Sequence, residues 1–398
     1  MLNFEYFSPT RFVFGRDVEN QAGERARELG AHKVLLHYGS GSAVRSGLIA
    51  RVRRSLEEAG LEAVELGGAQ PNPRSTLVYQ GISLCREQGV DFILAVGGGS
   101  VIDSAKAMAL GVPYPGDFWD FYCKKATPQA ALPVGVILTM AAAGSEGSNS
   151  AVITHEPENL KRGLHSEFNR PRFALMNPAL TMTLPAYQTA SGATDMMAHV
   201  LERYFTREQG VDLTDRLCEA VLMAVIKAAP AALKNPEDYE ARAQLMWAST
   251  VAHNDSVGLG RVGDWASHQL EHELSAKYDV AHGAGLAVVF PAWMRYQLRN
   301  DTRLLCQLAV RVWGCEMDEN HPERTALQGI ERFEAFLKSI GMPLSFEELG
   351  AKEEDIPELA AHVKYADNGL VGNFFPLDRA AVETVYRIAC RREEAPHA

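Results

Sequence analysis

Through its first 185 residues the chain alternates short apolar runs with amphipathic stretches that stop at glycine; beyond Pro185 the clear strand runs cease. Phe12-Val13-Phe14 closes an early strand at Gly15, and Gln21 to Gly30 reads as a helix with a glycine stop. Lys33 to Tyr38 is a buried strand leading into Gly39-Ser40-Gly41-Ser42. Val44, Leu48, Val52 and Leu56 keep helical spacing up to Gly60. A short strand at Ala63–Leu66, a helix from Ser75 to Gly89, and a strand at Phe92–Val96 follow. Gly97-Gly98-Gly99-Ser100 then leads to a helix over Ile102–Leu110. Strand and helix in alternation predict a parallel sheet with helices on both faces, which binds ligands at the carboxyl ends of its strands. Val134–Thr139, Ala151–Thr154 and Phe173–Met176 are further strands, and a small-residue run spans Ala141 to Ser148. The 398 residues, with 46% hydrophobic and 22% charged side chains, suffice for two cores. The expected division is an α/β domain at 1–185 and an all-helical domain at 186–398.

The second half carries the densest chemistry. Helical stretches are expected at Ala190–Phe205, at Leu213–Leu233 with Pro230 kinking or ending it, at Tyr239–Ala252 and at Val262–Tyr278. His282 falls in a glycine-flanked turn before a helix at Leu286–Tyr296. Asp195 and His199 are four residues apart, as are His268 and His272, so each pair shares a helix face. With His282, one carboxylate and three or four imidazoles can converge on one ion. That donor set suits Fe(II) or Zn(II) and suits Mg or Ca poorly. Taken singly, each histidine is an ordinary hydrogen-bonded helix residue, as His253 is at no ligand spacing. The joint pattern is the signal, and spacing alone does not make an enzyme.

The glycine run after Phe92–Val96 has strand before it and helix after it. Glycine lets a phosphate approach the backbone, and a helix N-terminus supplies free N–H groups, so a pyrophosphate cradle is expected there. It is not the G-x-G-x-x-G fingerprint. The turn Tyr38-Gly39-Ser40-Gly41-Ser42 bears on which dinucleotide binds. It has no Asp or Glu to hold a ribose 2'-hydroxyl, and Arg45 lies just beyond, which suits the 2'-phosphate of NADP. A cleft between the two domains is the expected active site.

Other classes are excluded by composition. The net charge of -11, with no basic run, speaks against nucleic acid. The N-terminus lacks the basic-then-apolar pattern of a signal peptide, and no apolar run reaches membrane length. Six scattered cysteines without a C-x-x-C pair read as free thiols in a reducing cytoplasm.

Taken together these motifs resemble the iron-containing (group III) alcohol dehydrogenase family. The resemblance rests on Asp195-x3-His199, His268-x3-His272 and His282 downstream of Gly97-Gly98-Gly99-Ser100-x-x-Asp103. Gly144-Ser145-Glu146, Asn177-Pro178, Ala241 to Ser249 and Asp264 to His268 are also similar. The Tyr38–Ser42 turn and Asp264-Trp265 resemble the butanol dehydrogenase and NADPH-dependent aldehyde reductase branch. The resemblance covers nearly the whole chain. It implies a Rossmann-like α/β N-terminal domain and an all-α C-terminal domain, the dehydroquinate-synthase-like fold. It implies Asp195, His199, His268 and His282 as ligands of Fe(II) or Zn(II), with His272 beside them without completing the set; as a general acid-base group, His272 is the expected catalytic proton relay. Gly98, Gly99 and Ser100, with Asp103, would hold the pyrophosphate; Gly39, Ser40 and Ser42 would lie near the 2'-phosphate; Thr139 and Lys161 would lie near the nicotinamide.

The chain departs from the family at Ser40, where glycine is common, and at Val44, where lysine is common, so NAD is admitted beside NADP. The family's threonine-rich stretch has drifted to Thr139-Met140-Ala141-Ala142-Ala143-Gly144-Ser145-Glu146. The implied activity is reversible hydride transfer between NADP(H) and a primary alcohol or aldehyde such as butanol or butanal, in a homodimer. The rivals are a hydroxy-acid dehydrogenase or transhydrogenase of the same fold, with Arg261 receiving the substrate carboxylate, and a metal-dependent hydrolase. A non-catalytic binding protein is opposed by the intact ligand set.

Overall fold

The computed structural model describes residues 1–39, 41–158 and 160–390. Contacts divide the chain into two units. One comprises Phe7–Leu184 with Glu237–Asn254, and the other Met1–Tyr6, Pro185–Pro236 and Asp255 onward.

The first unit contains the strands β1 (Arg11–Phe14), β2 (Lys33–Gly39), β3 (Glu62–Ala69), β4 (Phe92–Gly97), β5 (Val134–Leu138), β6 (Ser150–His155), β7 (Leu160–His165) and β8 (Phe173–Met176). Six of them pair in parallel in the order β1-β8-β5-β4-β2-β3. β4, β5 and β8 are buried along their whole lengths, which is why each reads as a continuous apolar run. From β2 the chain moves outward to β3, then returns to place β4 on the other side of β2. The strand order therefore reverses between β2 and β4, where open sheets take their ligands. Tyr38 is in register with Val96 and Gly97 with Leu138, so the turns after β2, β4 and β5 leave the same edge.

β6 and β7 form a separate antiparallel pair. β7 is not among the apolar runs of the sequence, because Lys161, Arg162 and His165 mask its extended character. The helix after β4 starts at Gly99 and runs to Gly111, three residues earlier than expected, since the glycine turn is its first turn. The Val44–Gly60 stretch is broken into helices Ser42–Arg45 and Leu48–Glu58 by Gly47, which has φ +73°.

One helix changes sides. Tyr239–His253 was assigned to the helical domain, yet it belongs to the sheet unit. Trp247 packs edge-on against Phe12 and Phe14, with centroids 5.7 and 6.4 Å away. Thr250 donates to Glu146 Oε1 at 2.6 Å. A Cβ on Gly144 would stand 2.3 Å from Ser249 O, so that glycine permits the close approach.

The second unit is built of helices, the longest being Ala186–Tyr204, Asp212–Lys234, Ala266–Tyr278, His282–Gln297 and Pro322–Ser339. Pro230 does not end the second of these, which continues to Lys234 with Ala228, Ala229 and Ala232 buried around the ring. An aromatic group centred on Trp293, with Phe205 at 5.0 Å, Phe290 at 5.5 Å and Phe374 at 6.1 Å, fills its core. Among the described residues no helix is long and apolar enough to cross a membrane. All six cysteines are free thiols.

Candidate metal centre and cofactor edge

In the helix Ala186–Tyr204 every residue from Thr189 to Tyr204 is buried. A helix enclosed on all sides has no solvent face, so its polar residues must serve one another or a ligand. Asp195, His199 and Glu202 follow the i, i+4, i+7 rhythm and share one face. The helix Ala266–Tyr278 brings His268 and His272, and His282 opens the helix His282–Gln297, with Ala281 as its N-cap. His282 is thus a helix N-terminal residue and not a turn residue; its neighbour Gly283 allows the contact, since a Cβ there would lie 1.9 Å from Ser191 O.

The side chains converge within the helical unit. Donor atoms of Asp195, His268 and His282 all lie within 4.8 Å of one another, and those of Glu271, His272 and His282 form a second such group. Asp195 Oδ1 is 3.4 Å from His199 Nδ1 and 3.7 Å from His282 Nε2. With metal–ligand bonds of about 2.0–2.1 Å, the atoms of a tetrahedral set stand about 3.4 Å apart, so these spacings match one ion. One carboxylate with imidazoles is also the donor chemistry of Zn(II) and Fe(II). His199 and His268 lie with ring centroids 4.7 Å apart, and His268 and His282 at 5.3 Å. His272 is next to them, its ring 5.7 Å from that of His282.

Two buried carboxylates stand behind the histidines. His268 Nδ1 donates to Glu202 Oε1 at 2.8 Å, and the backbone N–H of His268 donates to the same oxygen at 2.9 Å. Glu202 Oε2 accepts from Trp265 N at 2.5 Å. His282 Nδ1 donates to Glu271 Oε2, and Ser275 Oγ donates to Glu271 Oε1. Trp265 has φ +66°, a costly conformation for a tryptophan, and the bond to Glu202 helps hold it. Its ring then covers His268 at 5.2 Å and carries the Arg203 guanidinium at 4.7 Å.

Burial governs the charges. Desolvation, then the neighbouring His268 and Arg203, pushes His199 well below the usual histidine range, which keeps it neutral as a ligand must be. Glu202 is raised by burial against the pull of the N–H groups it accepts. Asp264 is raised to about 7 by burial and by Glu202. It accepts from the N–H groups of Asn373 and Phe374 at 2.7 and 2.8 Å, tying that loop to the start of the Ala266–Tyr278 helix.

The cofactor expectations fall on one sheet edge of the other unit. Gly98 caps the helix Gly99–Gly111, whose first-turn N–H groups, including those of Gly99 and Ser100, have no acceptor within the helix. A Cβ on Gly97 would lie 2.3 Å from Val101 Cγ2, so only glycine fits that turn. Thr139 follows β5, its N–H donating to Gly97 O at 3.1 Å. Gly39 ends β2 and Ser42 begins the short helix Ser42–Arg45, while Ser40 lies outside the described residues. The Arg45 guanidinium folds over Gly41, 2.8 Å from where a Cβ would be.

Asp103 and Lys161 turn inward. Asp103 Oδ1 accepts from Ser145 Oγ at 2.6 Å and Oδ2 from Val152 N at 2.9 Å, so the residue grips the small-residue loop. Lys161 Nζ donates to Asn72 Oδ1 at 3.0 Å. Lys106, three residues after Asp103, is fully buried and donates to Ser145 O, Ser148 O and Ser150 O at 2.7, 3.1 and 2.8 Å. Desolvation lowers its pKa to about 8 despite Asp103 and Glu146 nearby.

Sequence reasoning missed Glu202, Glu271, Lys106 and Asn72. Glu202 was available from the i+7 rhythm after Asp195, and Glu271 from its place three residues after His268. Lys106 carried no such signal, because a lysine on a helix is ordinarily solvated. Arg261, the candidate for an acid substrate, is corrected: its guanidinium is enclosed and donates to Asp215 Oδ1 at 2.6 Å and to Val211 O and Arg203 O. It is committed to the helical core.

Known proteins match this chain along nearly its whole length. The family model "Iron-containing alcohol dehydrogenase" matches residues 9–178, and the model of the C-terminal part of the same family matches residues 189–390. The chain is 42% identical over 389 residues to the probable NADH-dependent butanol dehydrogenase 2 of Bacillus subtilis, covering 97% of this chain and 99% of that one. It is 36% identical over 362 residues to the NADPH-dependent aldehyde reductase of Escherichia coli, covering 90% and 92%. The crystal structure of NADH-dependent butanol dehydrogenase A from Thermotoga maritima superposes with a TM-score of 0.95 at 38% identity, covering 98% of this chain and 99% of that one.

Proposed function

The chain belongs to the iron-containing alcohol dehydrogenase family, and from that premise we propose that it transfers hydride reversibly between NADP(H) and a small primary alcohol or aldehyde such as butanol or butanal. The parallel-sheet unit and the helical unit are those of the dehydroquinate-synthase-like fold. The observation that carries the reading is the approach of Asp195, His268 and His282 donor atoms to within 4.8 Å of one another.

In this reading Asp195, His199, His268 and His282 hold Fe(II) or Zn(II), which supplies Lewis acidity toward the substrate oxygen. Asp195 brings the single negative charge of the set. The three imidazoles bind as neutral donors, so the site keeps a net positive charge that favours an anionic substrate oxygen. Trp265 limits water around His268. His272, beside the ligands, passes the proton between the substrate oxygen and solvent.

The dinucleotide supplies or receives the hydride. Gly98, Gly99 and Ser100 would bind its pyrophosphate through backbone N–H groups, and Thr139 would lie near its nicotinamide, while Lys161, turned toward Asn72, would support that edge from behind. Asp103 and Lys106 keep the loop at 141–150 in place. Gly39, Ser40 and Ser42, with Arg45 folded over the turn, receive the 2'-phosphate. The Bacillus relative is named for NADH and the Escherichia coli relative for NADPH, so this preference is this chain's own and rests on the missing carboxylate and on Arg45.

The test is NADPH oxidation with butanal by protein stripped of metal and resupplied with Fe(II) or Zn(II) without oxygen, with NADH alongside. Activity should return with metal, favour NADPH in kcat/KM, and vanish together with metal binding in Asp195→Ala. Metal-independent turnover, or none with either metal across several aldehydes, refutes the reading; a preference for NADH refutes its cofactor half.

A further inference from the structure

We propose that Glu202 and Glu271 are positioning residues that set the tautomer and ring orientation of two metal-binding imidazoles. The inference rests on the reading of Asp195, His268 and His282 as ligands. A neutral imidazole has one nitrogen that donates and one that accepts, and only the latter can bind a cation. Here the Nδ1 of His268 is taken by Glu202 and the Nδ1 of His282 by Glu271, and the side chains of both carboxylates are fully enclosed. A ring flip would set a C–H against a buried carboxylate oxygen. The proton is therefore held on Nδ1 and the lone pair on Nε2, and in His282 that Nε2 is the atom facing Asp195 Oδ1 at 3.7 Å. A carboxylate behind the imidazole also makes it a stronger donor.

Glu271 belongs to the second group of close donor atoms, with His272 and His282. Its two oxygens are nevertheless engaged, one by His282 Nδ1 and the other by Ser275 Oγ. That arrangement makes it the partner of a ligand. The two carboxylates also differ in a way that a substitution can read. Glu202 accepts N–H groups on both oxygens, from His268 and from Trp265. A glutamine there must turn its NH2 toward a donor in either orientation. At 271 a glutamine can keep its carbonyl oxygen on His282 Nδ1 and turn its NH2 toward Ser275 Oγ, which then accepts.

The experiment measures Zn(II) affinity by competition with a chelator, and the melting temperature of the metal-stripped chain. Glu271→Leu should bind Zn(II) about 10–100-fold more weakly, the range found when partners of ligand histidines are removed, while the stripped chain melts close to wild type. Glu271→Gln should recover most of that loss. Glu202→Gln should lose affinity as Glu271→Leu does and should also lower the melting temperature, because the N-terminal turn holding Trp265 and His268 is gripped by the same carboxylate.

Zn(II) affinity of Glu271→Leu within threefold of wild type overturns the proposal. So does a Glu271→Gln as weak as the leucine variant, which would make Glu271 a ligand itself. Asp195→Ala tests the underlying reading separately. If it keeps wild-type affinity, the ligand set fails; if it loses Zn(II) while Glu271→Leu does not, the positioning role alone fails.

Discussion

His37 makes the sheet unit sensitive to acid in a way that can be measured. It is fully buried on β2, its Nδ1 donating to Leu66 O at 2.8 Å and its Nε2 lying 2.7 Å from Ser104 Oγ. Burial holds its pKa at about 4, against 6.5 for the exposed side chain. Between those values the unfolded chain binds a proton that the folded chain refuses, so stability falls as pH drops from about 6.5 toward 4 and is level above that window. At 1.36 kcal/mol per pH unit the whole gap is worth about 3 kcal/mol, of which about 2 is lost between pH 7 and pH 5. His37→Gln removes the titration while keeping a polar side chain. It should be less stable than wild type at pH 7, by about 1–2 kcal/mol for imperfect hydrogen bonds, and the deficit should close by pH 5. Urea unfolding of both proteins at the two pH values, at one ionic strength, measures this. Other acid-sensitive groups are common to both chains and cancel in the difference. A deficit that is the same at pH 7 and pH 5 would refute the reasoning.

Lys106→Met leaves three backbone carbonyls and two carboxylates around an apolar side chain, and should cost about 3–5 kcal/mol in urea unfolding, with Lys106→Arg giving no rescue. Gly97→Ala puts a methyl 2.3 Å from Val101 Cγ2; it should lower stability by about 1–3 kcal/mol and weaken NADPH binding in a fluorescence titration, and unchanged values in both would contradict the tight turn. His272→Ala should lower turnover while metal content, measured by elemental analysis, survives; matching loss of metal would make His272 a ligand.

The parallel sheet was legible because its central strands are buried on both faces and announce themselves as unbroken apolar runs. The same logic hid β7, where Lys161 and Arg162 occupy an extended segment whose partners come from β6 and from Asn72. The shared helix faces of Asp195 with His199, and of His268 with His272, were legible because helix periodicity maps spacing onto faces. His282 was found as a residue but misplaced as a turn, since the glycines beside it also allow a helix to start against Ser191. The side of the molecule to which Tyr239–His253 belongs was not legible. Its pattern is that of any amphipathic helix, and its assignment follows from Trp247, Ser249 and Thr250 meeting residues about 100 or more positions earlier. Arg261 shows the reverse error: an arginine near the ligands in sequence is spent on Asp215 and two carbonyls.

The loop from Ala141 to Ser150 explains why a lysine is buried beside it. Alanine, glycine and serine give a chain segment little apolar area, so such a loop cannot hold one conformation by packing alone. Its backbone carbonyls are its strongest handles. Lys106 takes three of them and Asp103 takes the Ser145 hydroxyl, so one cation and one anion fix the second half of the loop, from Ser145 to Ser150. Burying these charges contributes little net stability, since desolvation offsets most of their attraction. What they supply is a single geometry for a segment of mostly small side chains, which can come close to a flat ring. The helical unit uses the same device on side chains, where Glu202 and Glu271 hold imidazoles instead of carbonyls. In both units the buried charge sits one bond away from the group expected to meet the ligand, so its loss should be read first in binding or in local order, and only afterwards in turnover.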